Sequence, residues 1–151
     1  VTDRALVSLQ RFHDLEELRL DHTRISGSTL ACLGELSSLK LLVLQGNTIS
    51  DDGFRQLGRL RSLRALMLGN TPVSDTHLAY LEGLTSLEHL DLNCTNVTDA
   101  GLRHLVHLEQ LKVVEVYATD VTAVGFTALA EKLGRSIEGF SGTRSGTKKG
   151  G

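Results

Sequence analysis

At 151 residues the chain has the length of one domain, and its net charge of −2, from 16 basic and 18 acidic residues, gives no global pull toward nucleic acid or an anionic membrane. No apolar run approaches the ~18 residues of a membrane span, and no secretory leader is visible. The two cysteines are too few for a disulfide-stapled scaffold.

The first residues, Val1-Thr2-Asp3, align with Val97-Thr98-Asp99, so the chain reads as a fragment that starts midway through a unit. Leu6, Leu9 and Phe12 form the apolar stripe of that half unit, residues 1–14. Leu15 then opens a phrase (apolar, two variable, apolar, one variable, apolar) that returns at Leu39, Leu63, Leu87 and Leu111, a period of 24 residues. A fixed period of this length means one supersecondary unit stacked on itself. The triplets Leu15/Leu18/Leu20 through Leu111/Val114/Val116 alternate with period two, which predicts short strands buried on one face.

Thr23, Asn47, Thr71, Thr95 and Thr119 follow the strands, and their side chains are expected to satisfy turn amides inside the stack. Ser26, Ser50, Ser74, Thr98 and Thr122 come next, adjacent in three units to Asp51, Asp75 and Asp99; either residue type can cap the helix that follows. Leucines or phenylalanines spaced by three then predict a short outer helix. Gly53, Gly101 and Gly125 recur in phase and imply tight strand-to-helix packing rather than a phosphate loop. The last outer helix is longer, Ala123 to Leu133, and Ile137 and Phe140 make a degenerate last strand or a cap. Residues 141–151, with Arg144, Lys148 and Lys149 among Gly, Ser and Thr, read as a flexible basic tail.

The full phrase, L-x-x-L-x-L-x-x-T-x-[IV]-[ST]-D-x-G-L-x-x-L-x-x-L, resembles the leucine-rich repeat, in a 24-residue form with Thr where the commonest pattern has Asn or Cys. The resemblance covers residues 1–140, with repeats starting at 15, 39, 63, 87 and 111. It implies an α/β solenoid with a curved parallel sheet on the concave face, short helices on the convex face, and a habit of binding proteins. It brings no catalytic residue, cofactor or metal. Extracellular members usually close their ends with disulfide modules. This chain lacks them, and an intracellular, cytoplasmic location is the expectation. Further repeats or a partner subunit are expected to cover the edge of the first strand.

The alternation also says which side chains face a partner. Three columns should run across the concave sheet: Glu17, Leu41, Ala65, His89, Val113; then Arg19, Val43, Met67, Asp91, Glu115; then Asp21, Gln45, Gly69, Asn93, Tyr117. Leu41, Val43, Ala65 and Met67 are apolar where the fold does not demand it, with charged groups on either side. The expected protein-binding residues are therefore Arg19, Leu41, Val43, Ala65, Met67, His89, Asp91, Glu115 and Tyr117.

His89, Asp91, Asn93, Cys94 and Glu115 also suggest a metal, but an open strand face with diverging side chains favours a solvated acidic patch. His104 and His107 read as a plain helix surface, and Cys32 and Cys94 sit on different faces and should not pair. Arg55, Arg59, Arg61 and Arg64 form one basic cluster, yet aromatics able to stack bases make up only 4% of the chain, which argues against nucleic acid. The function expected is a non-catalytic interaction scaffold, which could be one ordered piece of a larger assembly. The alternative is the substrate-recognition arm of a ubiquitin ligase, because Thr98 to Leu102 is similar to repeats in F-box adaptors, although no F-box is present. RNA association through the arginine cluster and the tail stands in reserve.

Overall fold

The computed structural model describes residues 6–27 and 30–141; residues 1–5 of the half unit and the basic tail from residue 142 lie outside the described residues. Strands β1 (Glu17–Arg19), β2 (Leu41–Val43), β3 (Ala65–Met67), β4 (His89–Asp91) and β5 (Val113–Glu115) form one five-stranded parallel sheet in chain order. The register pairs each residue with the one 24 positions on, as Glu17 with Leu41 and Arg19 with Val43. The 24-residue period is therefore the sheet register itself.

The outer segments change from α-helix to 3₁₀ turn toward the start of the chain. Val7–Arg11 and Leu30–Glu35 are 3₁₀ turns. The helices are α1 (Asp51–Leu57), α2 (Asp75–Tyr80), α3 (Asp99–Leu102) and α4 (Ala123–Leu133), with 3₁₀ turns Leu81–Gly83 after α2 and Arg103–Leu105 after α3. Among the described residues that follow Ser26, the outer segment is the 3₁₀ turn and not an α-helix. The residue next to Ser26 is Gly27, with φ 98°, where the next three units carry aspartate. Leu30, Leu33 and Leu36 are spaced by three, which a three-residue turn aligns on one side.

Between the two layers lies a continuous core. Leu42, Leu44, Leu66, Leu68, Leu90 and Leu92 from the sheet meet Leu33, Phe54, Leu57, Leu78, Leu81 and Leu105 from the outer segments, all of them fully buried. Burying one such side chain stabilises by about 1.5–3 kcal/mol, and each unit packs only on its neighbours, so stability accumulates along the stack. Leu15 and Leu18 are only partly buried, whereas their counterparts Leu39 and Leu42 are fully so. At the other end Gly134, left-handed at φ 65°, stops α4. The chain then returns to the sheet: Val114 N–H donates to the Glu138 carbonyl at 2.8 Å and Glu138 N–H to the Lys112 carbonyl at 2.9 Å. Ile137 is buried and the Phe140 ring lies 5.4 Å from that of Phe126.

One residue per unit leaves each strand in the left-handed region: His22, Gly46, Asn70, Cys94 and Ala118, with φ of 50°, 69°, 55°, 57° and 54°. That turn swings the next side chain back over the strand it has just left. The threonines therefore work differently from the expectation. Their hydroxyls donate to the strand-end carbonyl three residues earlier, Thr23 to Leu20, Thr95 to Leu92 and Thr119 to Val116 at 2.7, 2.6 and 2.7 Å. Of turn amides, Val121 N–H reaches Thr119 Oγ1, at 3.3 Å. Asn47 does more. It donates to the carbonyls of Leu20 and Leu44 at 2.8 and 3.0 Å and accepts from Ile25 N–H and the Thr23 hydroxyl at 3.1 and 3.0 Å, joining two units through one buried amide.

Caps and aspartates divide the labour. Ser50 and Thr122 hydroxyls accept from Gly53 and Gly125 N–H at 3.3 and 3.2 Å. The aspartates instead bond the next unit: Asp75 accepts from Thr98 N–H and hydroxyl at 2.8 and 2.7 Å, and Asp99 from those of Thr122 at 2.7 and 2.6 Å. Gly101 and Gly125 recur because that carboxylate lies directly over them; a Cβ at either position would overlap Asp75 or Asp99. One unit departs from this. His77 occupies the glycine position, stacks on Phe54 with ring centroids 4.3 Å apart, and accepts Ser74 N–H on Nδ1 at 3.0 Å. Its Nε2 then carries the proton and faces Asp51 Oδ1 at 3.1 Å. The imidazole thus fills the place that a carboxylate holds in the following units.

Candidate protein-binding face

Two of the three columns align in the strand register, with Glu17, Leu41, Ala65, His89 and Val113 in one rank and Arg19, Val43, Met67, Asp91 and Glu115 in the next. Leu41, Ala65 and Met67 are partly exposed and form an apolar floor on β2 and β3. Val43 lies in that floor but is only 6% exposed, so it contributes shape rather than much contact area. Arg19 and Glu17 are well exposed at the β1 side, 3.8 Å apart. Tyr117 is 58% exposed past β5.

The polar end is not the solvated acidic patch expected. Asp91 is 3% exposed, with its carboxylate lying over Gly69, where any Cβ would crowd it. It accepts from Gln45 Nε2 at 2.5 Å and from Asn93 N–H at 2.8 Å. His89 Nε2 sits 2.7 Å from Glu115 Oε1, and Glu115 Oε2 accepts from Asn93 Nδ2 at 2.7 Å. Asn93 Oδ1 in turn accepts Tyr117 N–H at 2.7 Å. A chain of hydrogen bonds from Gln45, just past β2, to Tyr117, just past β5, therefore holds these side chains in fixed positions. None of the groups of described residues combines three or more metal-ligating side chains in one place.

Charge is handled differently one residue away. Glu16, Lys40, Arg64, Glu88 and Lys112 precede the strands and neutralise one another, through Lys40–Glu16 at 2.5 Å, Arg64–Glu88 at 3.6 Å and Lys112–Glu88 at 2.5 Å. The hydrogen bond from the Lys112 ammonium holds the Glu88 carboxyl below its ordinary value, against an opposing effect of desolvation and with lesser help from the Lys112 and Arg64 charges. The expected arginine cluster is split up in the same way: Arg64 joins this ladder, and Arg55 lies 5.1 Å over the Tyr80 ring on the convex side. His104 pairs with Glu82 at 2.7 Å on the outer surface. Cys32 and Cys94 are both free. No helix among the described residues is long and apolar enough to cross a membrane.

Comparison with known proteins agrees with this geometry. The family model described as a leucine-rich repeat matches residues 35–57 and 83–106. Among solved structures, an internalin of Listeria monocytogenes str. 4b F2365 is similar over 90% of this chain and 38% of its own, at 20% identity and a TM-score of 0.69. Internalin C2 of the same strain is similar over 82% of this chain and 51% of its own, at 25% identity and a TM-score of 0.63. The plant peptide hormone receptor RGFR1 in complex with RGF2 matches over 76% of this chain and 22% of its own, at 18% identity and a TM-score of 0.50. This chain therefore spans about two fifths to one half of the internalins it matches. No curated protein sequence matches it.

Proposed function

The chain is a leucine-rich repeat protein, and from that premise we propose that it is a non-catalytic scaffold that binds a protein partner on its concave sheet. The observation that carries this reading is the apolar floor of Leu41, Ala65 and Met67, partly exposed on β2 and β3 where the fold has no use for apolar side chains, and bordered by charged and hydrogen-bonded groups. An apolar centre with a polar rim is the usual anatomy of an interface, and methionine adapts to irregular partners. The contact residues proposed are Arg19, Leu41, Ala65, Met67, His89, Glu115 and Tyr117, with Val43 and Asp91, expected among them, buried beneath the surface they shape. Two free cysteines with no disulfide between them suit a reducing, intracellular compartment.

Cross-linking mass spectrometry on the chain in its cell of origin tests the reading, with Leu41→Glu and Met67→Glu chains as controls. The expected result is a protein cross-linked through the concave columns and lost in both variants, whose circular dichroism is unchanged. Cross-links retained in both variants move the interface off this face.

A further inference from the structure

The concave sheet is short of positive charge, and the shortage has a location. Along its columns and their continuation at Glu138, five carboxylates (Glu17, Asp21, Asp91, Glu115, Glu138) face one guanidinium, Arg19, and that guanidinium is taken by Glu17. Asp91 is the sharpest case. It is 97% removed from solvent, yet both of its hydrogen-bond donors, Gln45 and Asn93, are neutral, and it makes no ion pair among the described residues. A buried carboxylate normally has a cationic or metal partner. The ladder one residue away shows that this chain does pair its carboxylates with Lys and Arg where structure alone is at stake.

Two residues past Asp91, at Asn93, the sheet opens into a shallow cavity of about 420 Å³ along β5 and the returning chain, lined in part by Asn93, Val113, Glu115, Tyr117, Glu138 and Phe140. Its lining holds two carboxylates and no cationic side chain. Glu138 pairs with Val113 in register, which puts it in the first concave column as the next position after β5. Glu115 is fixed by His89 and Asn93, so its orientation costs nothing further on binding. Tyr117 supplies an open aromatic face at the same place.

We infer that this cavity receives an arginine side chain from the partner's contact segment, whose apolar residues seat on Leu41, Ala65 and Met67. The inference rests on the reading above that the sheet is the interface. A guanidinium fits better than an ammonium for two reasons: its planar fork addresses two carboxylates at once, and its flat face stacks on a tyrosine ring with little desolvation cost. The Asp91 charge adds attraction from beneath the floor in a setting where water screens it weakly.

Fluorescence anisotropy with four labelled octapeptides tests this: alternating Leu and Arg, Leu and Lys, Leu and Glu, and Ser and Arg. An extended octapeptide spans about 26 Å, and five strands at about 4.8 Å spacing cover a comparable distance. The Leu/Arg peptide is expected to bind about tenfold tighter than the Leu/Glu and Ser/Arg peptides and about threefold tighter than Leu/Lys. Combined Glu115→Gln and Glu138→Gln changes should remove about tenfold of that affinity, and Tyr117→Ala should erase the preference for arginine over lysine. Equal binding of Leu/Arg and Leu/Glu, with both lost in Met67→Glu, overturns the arginine site while the sheet stands as an interface. Binding of the Leu/Arg peptide that no face variant alters overturns both, and no binding of that peptide at about 1 mM, a very weak affinity, overturns the arginine site.

Discussion

On the turn and convex side of the strands, polar groups are matched inside the chain. Asn47 ties two units together, the threonine hydroxyls hold strand-end carbonyls, and Asp75 and Asp99 grip the next unit's threonine. On the concave side the hydrogen bonds are equally well made, but the charge is left over, as Asp91 and Glu138 illustrate. Both regions come from the same repeat and differ by a few residues of offset. The difference separates groups whose charge is matched within the stack from those that the proposed interface would have to match.

That contrast can be broken by mutation, and the largest effect belongs to the interior. Asn47→Ala takes the side-chain acceptor from Ile25 N–H and one of the donors from each of the Leu20 and Leu44 carbonyls, and should cost about 2–4 kcal/mol in urea unfolding. Next comes the aspartate ladder: Asp99→Ala should cost about 1–2 kcal/mol through lost bonds to Thr122. Asp51→Ala, where His77 already holds Ser74 N–H, should cost under about 0.5 kcal/mol, whereas His77→Ala should cost about 1 kcal/mol. Equal losses at Asp51 and Asp99 would contradict the imidazole's replacement of the carboxylate.

Smaller effects sharpen the comparison. Ala118→Gly should raise the unfolding midpoint, by up to about 1 kcal/mol of stability, because an alanine there holds a left-handed conformation. Met67→Glu should change stability by no more than about 0.5 kcal/mol despite its position in the middle of the sheet. The smallest effect is acid-dependent. Glu88 has its carboxyl lowered in the folded state from about 4.5 by Lys112 and Arg64, so its contribution is present above that value and fades as pH falls through the folded value. Glu88→Gln should therefore show a slightly shallower loss of melting temperature below about pH 4.5.

How much of this was legible in the sequence depends on which residues obey the period. The sheet order, the register and the three concave columns follow directly from a 24-residue repeat, because strand pairing at that offset is the repeat. The left-handed column was hidden, since His22, Gly46, Asn70, Cys94 and Ala118 share no chemistry, only a position. The threonines' partners depended on that turn and were misassigned with it. Two departures did leave signals. His77 interrupts the rank of Gly53, Gly101 and Gly125, and Gly69 stands beside Asp91 where other units carry larger side chains. Both exceptions mark places where a neighbouring side chain needed room or a new partner, and the second explains why Asp91 sinks out of solvent rather than joining an open patch.

The central claim is that the concave sheet, not the helical convex side, meets the proposed partner. The convex side offers its own control in Val124, 79% exposed at the start of α4. A photo-cross-linking benzoylphenylalanine introduced at position 67 or at position 124 compares the two faces in one experiment. Position 67 should give a protein adduct that excess unmodified chain competes away and excess Met67→Glu chain does not, while position 124 gives none; a competable adduct from position 124 alone would contradict the account.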